Sequence, residues 1–181
     1  MKAMYFMALI TPEPLLSEIS AVKHELSRKY KTYSSLRSPA HITLVPPFHY
    51  RQEDEYLLIR NMLQFHSSAP QFDITLDGFG CFAPRVIFVR PLPSAELTDL
   101  YDDLQTHVRT FLPERKKTSP PFHPHITVAN RDWSEYDFYK AWDEMRTRPF
   151  SGAFTAEKIS LLKLEKEKWK VLAKFSLKPQ S

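Results

Sequence analysis

The chain opens on MKAMYFMALI, a mostly apolar run after Lys2 that reads as a first strand. Thr11 and Pro12 mark a helix entry, and Leu15, Ile19, Val22 and Leu26 recur at helical spacing on one face. The segment SPAHITLVPPF supplies a short β-rich run that should close at Pro46-Pro47. Residues 52–66 then place Leu58, Ile59, Met62 and Leu63 on a second helical stripe. In FDITL, Phe72, Ile74 and Leu76 alternate as in a half-buried strand. DGFGCFAPR, with Gly78 and Gly80, reads as a turn before the short apolar run VIFV.

The order then restarts. Pro93 and Ser94 open a helix with Leu97, Leu100, Leu104, Val108 and Phe111 on one face. A proline-containing loop with the basic run Arg115-Lys116-Lys117 leads into FHPHITVAN, whose HITV at 125–128 repeats the HITL of 41–44. Ser134 can cap a fourth helix, with Phe138, Ala141, Trp142 and Met145 facing inward. Residues 154–164 and 168–177 are expected to form a hairpin around EKEK, its second arm alternating Trp169, Val171, Ala173, Phe175 and Leu177. Each half is thus helix, HIT strand, helix, strand, strand, with the opening strand in front of the first. This is an internal duplication at the level of pattern, with a period far too long for a solenoid. The expectation is a single domain over residues 1–181 made of two pseudo-symmetric lobes, one His-x-Thr-x motif in each. The fold class is α+β, with antiparallel sheets flanked by helices and approximate twofold symmetry.

Composition narrows the setting. A hydrophobic share of 43% with 25% charged residues fits a globular chain and excludes a disordered one. The 25 Lys and Arg against 21 Asp and Glu leave a formal charge of +4, compatible with an anionic partner but equally with an ordinary solvated surface. The single Cys81 excludes an intramolecular disulfide and a multi-cysteine zinc site, so a reducing cytoplasm is the expected location. No apolar run approaches the roughly 20 residues that cross a bilayer. The opening run lacks a small-residue cleavage site, and a strand is expected there rather than a signal peptide.

The repeated motif carries the chemistry. Strand side chains alternate between faces, so His41 and Thr43 should point one way while Ile42 and Leu44 point the other. His125 and Thr127 should do the same, backed by Ile126 and Val128. If the lobes are related by a twofold, two imidazoles and two hydroxyls can meet across one groove. That set suits a phosphodiester. Splitting one requires a proton to be taken from the attacking oxygen and another given to the departing one, and histidine, with an unperturbed pKa of about 6.5, can do either. Threonine hydroxyls can hydrogen-bond to the non-bridging oxygens and stabilise charge that builds up in the transition state. No cofactor or metal is required. One copy of the tetrapeptide fits an ordinary partly buried strand; two copies at equivalent places in a duplicated pattern favour a site.

The paired HITL and HITV strands, the proline of PHITV and the duplicated order together resemble the two-histidine phosphoesterase superfamily. That superfamily includes bacterial 2'-5' RNA ligases, RNA 2',3'-cyclic phosphodiesterases and eukaryotic cyclic phosphodiesterases. The resemblance spans nearly the whole chain. It implies a bilobal fold with a central cleft and metal-independent hydrolysis or transesterification of a 2',3'-cyclic phosphate or 2'-5' linkage, on RNA ends or small nucleotides. It also implies His41 as proton donor and His125 as acceptor, with Thr43 and Thr127 holding the phosphate; the residues themselves leave that direction open. Two departures bear on substrate. The first motif runs into VPPFHY instead of a Phe-Leu-Gly-like segment, and Ala129-Asn130 replace the basic residue often found after the second, before Arg131.

Further candidates surround the motifs. Phe82 and Phe122 can stack on a base, as can Phe48 and Tyr50, with core packing as the ordinary alternative. Arg85 and Arg131 can grip phosphate oxygens in a bidentate way. His123 is a candidate for the cleft rim, with a solvent-facing side chain as the ordinary alternative, while His24, His66 and His107 fall on predicted helices or their ends and read as surface or boundary residues. Two other function classes compete: a nucleotide- or RNA-binding module without catalysis, and a metal-dependent hydrolase using His49, His123 and His125. The expected partner is an RNA or nucleotide bearing a cyclic phosphate, with no membrane and no obligate protein partner.

Overall fold

Alternating apolar side chains set eight strands into two antiparallel sheets, with four helices packed around them, over the residues described by the computed structural model, 1–112 and 121–180. The elements are β1 (Lys2–Ile10), α1 (Leu15–Tyr30), β2 (His41–Arg51), α2 (Glu55–Leu63), β3 (Phe72–Phe82) and β4 (Val86–Pro91). They continue with α3 (Ala95–Arg109), β5 (Ile126–Asn130), α4 (Glu135–Met145), β6 (Ser151–Ala156), β7 (Lys158–Glu165) and β8 (Lys168–Ser176). The sheet orders are β2-β1-β7-β8 and β5-β4-β3-β6. Both sheets therefore begin with a HIT strand at the edge, place the strand that precedes the helix second, and take their third strand from the other half of the chain. No helix among the described residues is long and apolar enough to cross a membrane. The Arg115-Lys116-Lys117 run lies outside the described residues.

Five sequence expectations are corrected. Strand β2 does not close at Pro46-Pro47 but continues to Arg51. It can do so because β2 is an edge strand, and the extra residue of a bulge between the Tyr5–Phe48 and Met7–Val45 pairs absorbs the missing N–H groups. DGFGCF is strand, not turn: β3 runs through both glycines and the chain reverses only over Ala83–Arg85. The run 154–164 is split, because β6 pairs with β3 in one sheet while β7 pairs with β1 in the other. Only the β7–β8 hairpin forms around EKEK. Its turn puts Lys166 and Glu167 at φ 45° and 66°, the twist that matches a two-residue hairpin. Finally, Leu63 is 68% exposed, and the alternation along β8 is broken by a bulge at Leu172 that turns Val171 outward.

Two glycines have local reasons. Gly78 holds φ +65° where β3 bulges against β4, a backbone conformation that L side chains rarely adopt. Gly80 lies opposite Phe88, and a Cβ there would come within 2.5 Å of the Phe88 ring.

One core joins both sheets to all four helices, containing Ile42, Leu44, Ile126 and Val128 beside α1 residues Ile19 and Leu26 and α4 residues Phe138 and Met145. Helix α1 packs on β5 and α3 on β2, so each long helix supports the HIT strand of the other sheet. Buried Gln105 of α3 donates its amide N–H to the Leu44 carbonyl at 2.8 Å.

Packing at two positions can be tested directly. Gly80→Ala overfills the space beneath the buried Phe88 ring and is expected to destabilise the protein by about 1–3 kcal/mol, read from urea unfolding. Ser94, whose hydroxyl oxygen accepts the Leu97 N–H at 3.1 Å, caps α3. Ser94→Ala is expected to lose about 1 kcal/mol in the same measurement.

Candidate active site

The two HIT segments are built alike. Ile42 and Leu44 of β2, and Ile126 and Val128 of β5, are fully buried, while Thr43 and Thr127 are only partly covered. The register repeats as well. Thr43 lies opposite Ala8 of β1 and Thr127 opposite Phe88 of β4. In both pairs the residue after the threonine is the extra one: the partners jump from Thr43 to Val45 and from Thr127 to Ala129, leaving Leu44 and Val128 bulged. A bulge bends the strand and increases its twist, which re-aims the polar residues just before it.

The imidazoles share a second feature. The Nδ1 of His41 lies 2.6 Å from the Pro39 carbonyl oxygen, and that of His125 lies 2.7 Å from the carbonyl oxygen of His123. A carbonyl can only accept, so each Nδ1 carries the proton and donates it. The neutral tautomer is thereby fixed, and Nε2 is the nitrogen left without a protein partner among the described residues. Each ring lies against phenylalanine: His41 is 4.8 Å from Phe6, and His125 is 5.0 Å from Phe82 and 5.4 Å from Phe88 between ring centroids.

Those neighbours disfavour charge. Desolvation pushes the His41 pKa down to about 4, against the upward pull of the Pro39 carbonyl and with further lowering from the charges of Lys23 and His125. Desolvation also lowers His125, opposed by the His123 carbonyl and aided by the His123 ring. Both imidazoles are neutral at pH 7 in the free protein.

His41, Thr43, His125 and Thr127 line one cleft of about 640 Å³ between the sheets. Phe82, Phe122, His123 and Arg131 line it too. Phe122 stacks on Tyr101 at 4.0 Å with nearly parallel rings. The Arg85 side chain is not among the cleft residues; its carbonyl accepts the Arg131 backbone N–H and the Trp133 indole N–H, and so shapes the turn after β5. Phe48 stacks against the buried Tyr5, and Tyr50 meets the same ring edge-on. His49 is exposed on the far part of β2 and does not reach the cleft that holds His123 and His125. Among the described residues no three His, Cys, Asp or Glu side chains are grouped to hold a metal ion.

Several cleft residues escaped the sequence reading. Ser34, Ser35, Arg37 and Ser38 come from the turn before β2, and Trp169 comes from β8. An arginine among serines just before a HIT motif was the available signal for the first group. Trp169 carried none, since an alternating strand reads the same on either face. Arg37 is held by the Glu167 carbonyl, which accepts from its Nε at 2.8 Å. Asp132, just after β5, clasps the opposite segment by accepting from Thr32 Oγ1 at 2.6 Å and from the backbone N–H groups of Tyr33 and Ser34 at 2.7 and 3.0 Å. Burial alone would raise the Asp132 pKa, but these donors outweigh it and hold the carboxyl below its ordinary value.

Known proteins share this architecture. The apo structure of Escherichia coli LigT superposes with a TM-score of 0.70 at 20% identity, covering 98% of this chain and 99% of that one. Protein TT0787 of Thermus thermophilus gives 0.66 at 24% identity, covering 98% and 100%. At that identity the likeness concerns the fold. A candidate phosphoesterase of Bacillus cytotoxicus is 27% identical over 155 residues, 84% of this chain and 86% of that protein. The profile of the 2'-5' RNA ligase superfamily matches residues 11–168, a span that takes in both HIT strands, and the chain belongs to that superfamily.

Proposed function

We propose that the cleft is the active site of a phosphoesterase that opens a 2',3'-cyclic phosphate, or splits a 2'-5' phosphodiester, on an RNA end or a small nucleotide. The observation that carries the reading is the matched pair of imidazoles, each with Nδ1–H committed to a carbonyl two residues upstream and Nε2 left for a ligand in the same cleft. Fold likeness supports the substrate class: LigT has been solved with 3'-AMP and with phosphate.

In this reading water attacks phosphorus while Nε2 of His125 takes its proton. The bond from phosphorus to one ribose oxygen breaks, and Nε2–H of His41 supplies the proton that oxygen needs. The assignment of donor and acceptor follows the family resemblance, and the two roles exchange in the reverse reaction. Thr43 and Thr127 donate their hydroxyls to the non-bridging oxygens as charge accumulates there. The proton inventory requires one imidazolium, which the free cleft disfavours. A bound phosphodiester brings the negative charge that offsets this and raises both histidines. Desolvation makes His41 a strong acid once it is loaded, which suits a group that must release its proton to an alkoxide.

The test is turnover of the four nucleoside 2',3'-cyclic monophosphates in EDTA, with the product isomers separated. His41→Ala and His125→Ala are each expected to lose about 10²–10⁴ in kcat, and Thr43→Ala or Thr127→Ala about 10²–10³. Turnover that survives either histidine change would sink the two-imidazole mechanism. The pH profile gives a separate check. Only the singly protonated pair is competent, and both free-protein histidines titrate below the usual value, so the kcat/KM optimum should fall below pH 6.5. Because the bound anion raises both groups, the kcat optimum should lie at higher pH than that of kcat/KM.

A further inference from the structure

Lys23 is on the buried face of α1 and only 3% exposed. Its ammonium donates to the Ser35 carbonyl at 3.1 Å and to the Ser38 carbonyl at 3.0 Å. Among the described residues no carboxylate lies within ion-pair distance of it. Glu13, which shares a cavity of about 330 Å³ with Lys23 and His24 behind this segment, instead accepts from the Ser17 hydroxyl at 2.8 Å. A buried ammonium is normally paired, because removing it from water is costly. Two carbonyls meet only part of that requirement.

The place of this charge in the fold is specific. The tethered segment presents Ser35, Arg37 and Ser38 to the cleft, and the next residue, Pro39, accepts the His41 Nδ1–H. The Ser35 hydroxyl oxygen is also buried without a partner among the described residues. We infer that Lys23 is a positioning residue that holds the segment before β2 in place and serves as the standing counter-charge for an anionic phosphate in the cleft. This rests on the reading of the cleft as a phosphoester site. The ammonium sits on the carbonyls of Ser35 and Ser38, two residues of the cleft wall, and its charge adds to the lowering of the His41 pKa that desolvation dominates; a field that disfavours an imidazolium favours a phosphate. Burial depresses Lys23 itself to about 8, which leaves it mainly charged at pH 7.

The experiment separates tether from charge. Lys23→Gln keeps an N–H donor for the carbonyls and removes the charge; Lys23→Met removes both and places an apolar chain of similar length in the core. Inorganic phosphate is titrated into the parent and both variants, with the His41 and His125 ring protons followed by NMR. Phosphate affinity is expected to fall about tenfold or more in each variant, the His41 titration midpoint to move up, and KM for a cyclic nucleotide to rise more than kcat falls. A merely structural lysine would leave both the Lys23→Gln midpoint and its phosphate affinity unmoved, and affinity within twofold of the parent in that variant overturns the inference. If Lys23→Gln does not fold, Lys23→Met is read by the same criteria. A parent that does not shift its histidines with phosphate overturns it as well. A parent that binds phosphate in a Lys23-dependent way, yet turns over no cyclic nucleotide or 2'-5' linkage, overturns the proposed reaction and leaves the role of Lys23 standing.

Discussion

The structure depends on burying the apolar side of two edge strands in one common core. Ile42 and Leu44, with Ile126 and Val128, are inaccessible to water, and strand geometry then forces the intervening threonines to the opposite face. A slip of one residue in either register would bury a histidine face and expose the apolar set. The core therefore specifies the site, and the position of the histidines is a consequence of the hydrophobic effect acting on their neighbours.

Edge strands are open to slippage, and here several polar contacts pin them. Gln105 of α3 holds the Leu44 carbonyl at the bulge of β2, while Asp132 beyond β5 gathers Thr32, Tyr33 and Ser34 from the segment after α1. Each half of the chain thus braces the motif of the other half. The exchange of β3 and β7 between sheets does the same at larger scale, because neither sheet is complete with strands from its own half.

The cleft is built to be electrostatically unsatisfied. Phe6, Phe82 and Phe88 strip water from the imidazoles, and the ammonium of Lys23, which meets two carbonyls and no carboxylate among the described residues, lies behind the segment that carries Ser35 and Ser38. Under the proposed phosphoester reading, groups fixed in this way need no reorganisation when an anion binds, which is the physical content of a preorganised site. Gly80 belongs to the same arrangement, since its missing side chain leaves room for the Phe88 ring that lies beside His125.

The helices, the identity of the HIT strands and the polar set His41, Thr43, His125 and Thr127 were legible in the sequence, because periodicity and a doubled motif are local patterns that burial enforces directly. The fates of Pro46-Pro47, of the glycines in β3 and of the 154–164 run were not. Proline is compatible with a strand only at an edge, a glycine can bulge a strand as readily as end it, and one alternating run can feed two sheets; each choice is made by which strand lies alongside. Arg37, Trp169 and Lys23 were invisible for the same reason. Their residue types suit a surface or a core, and only the approach of the β7–β8 turn, the cleft wall and the carbonyls of Ser35 and Ser38 assigns them a place. The sequence by itself determined which side chains face together along each strand, since that depends on a two-residue period; the tertiary structure decided which faces meet, since that depends on strand order and on long-range packing that no local pattern records.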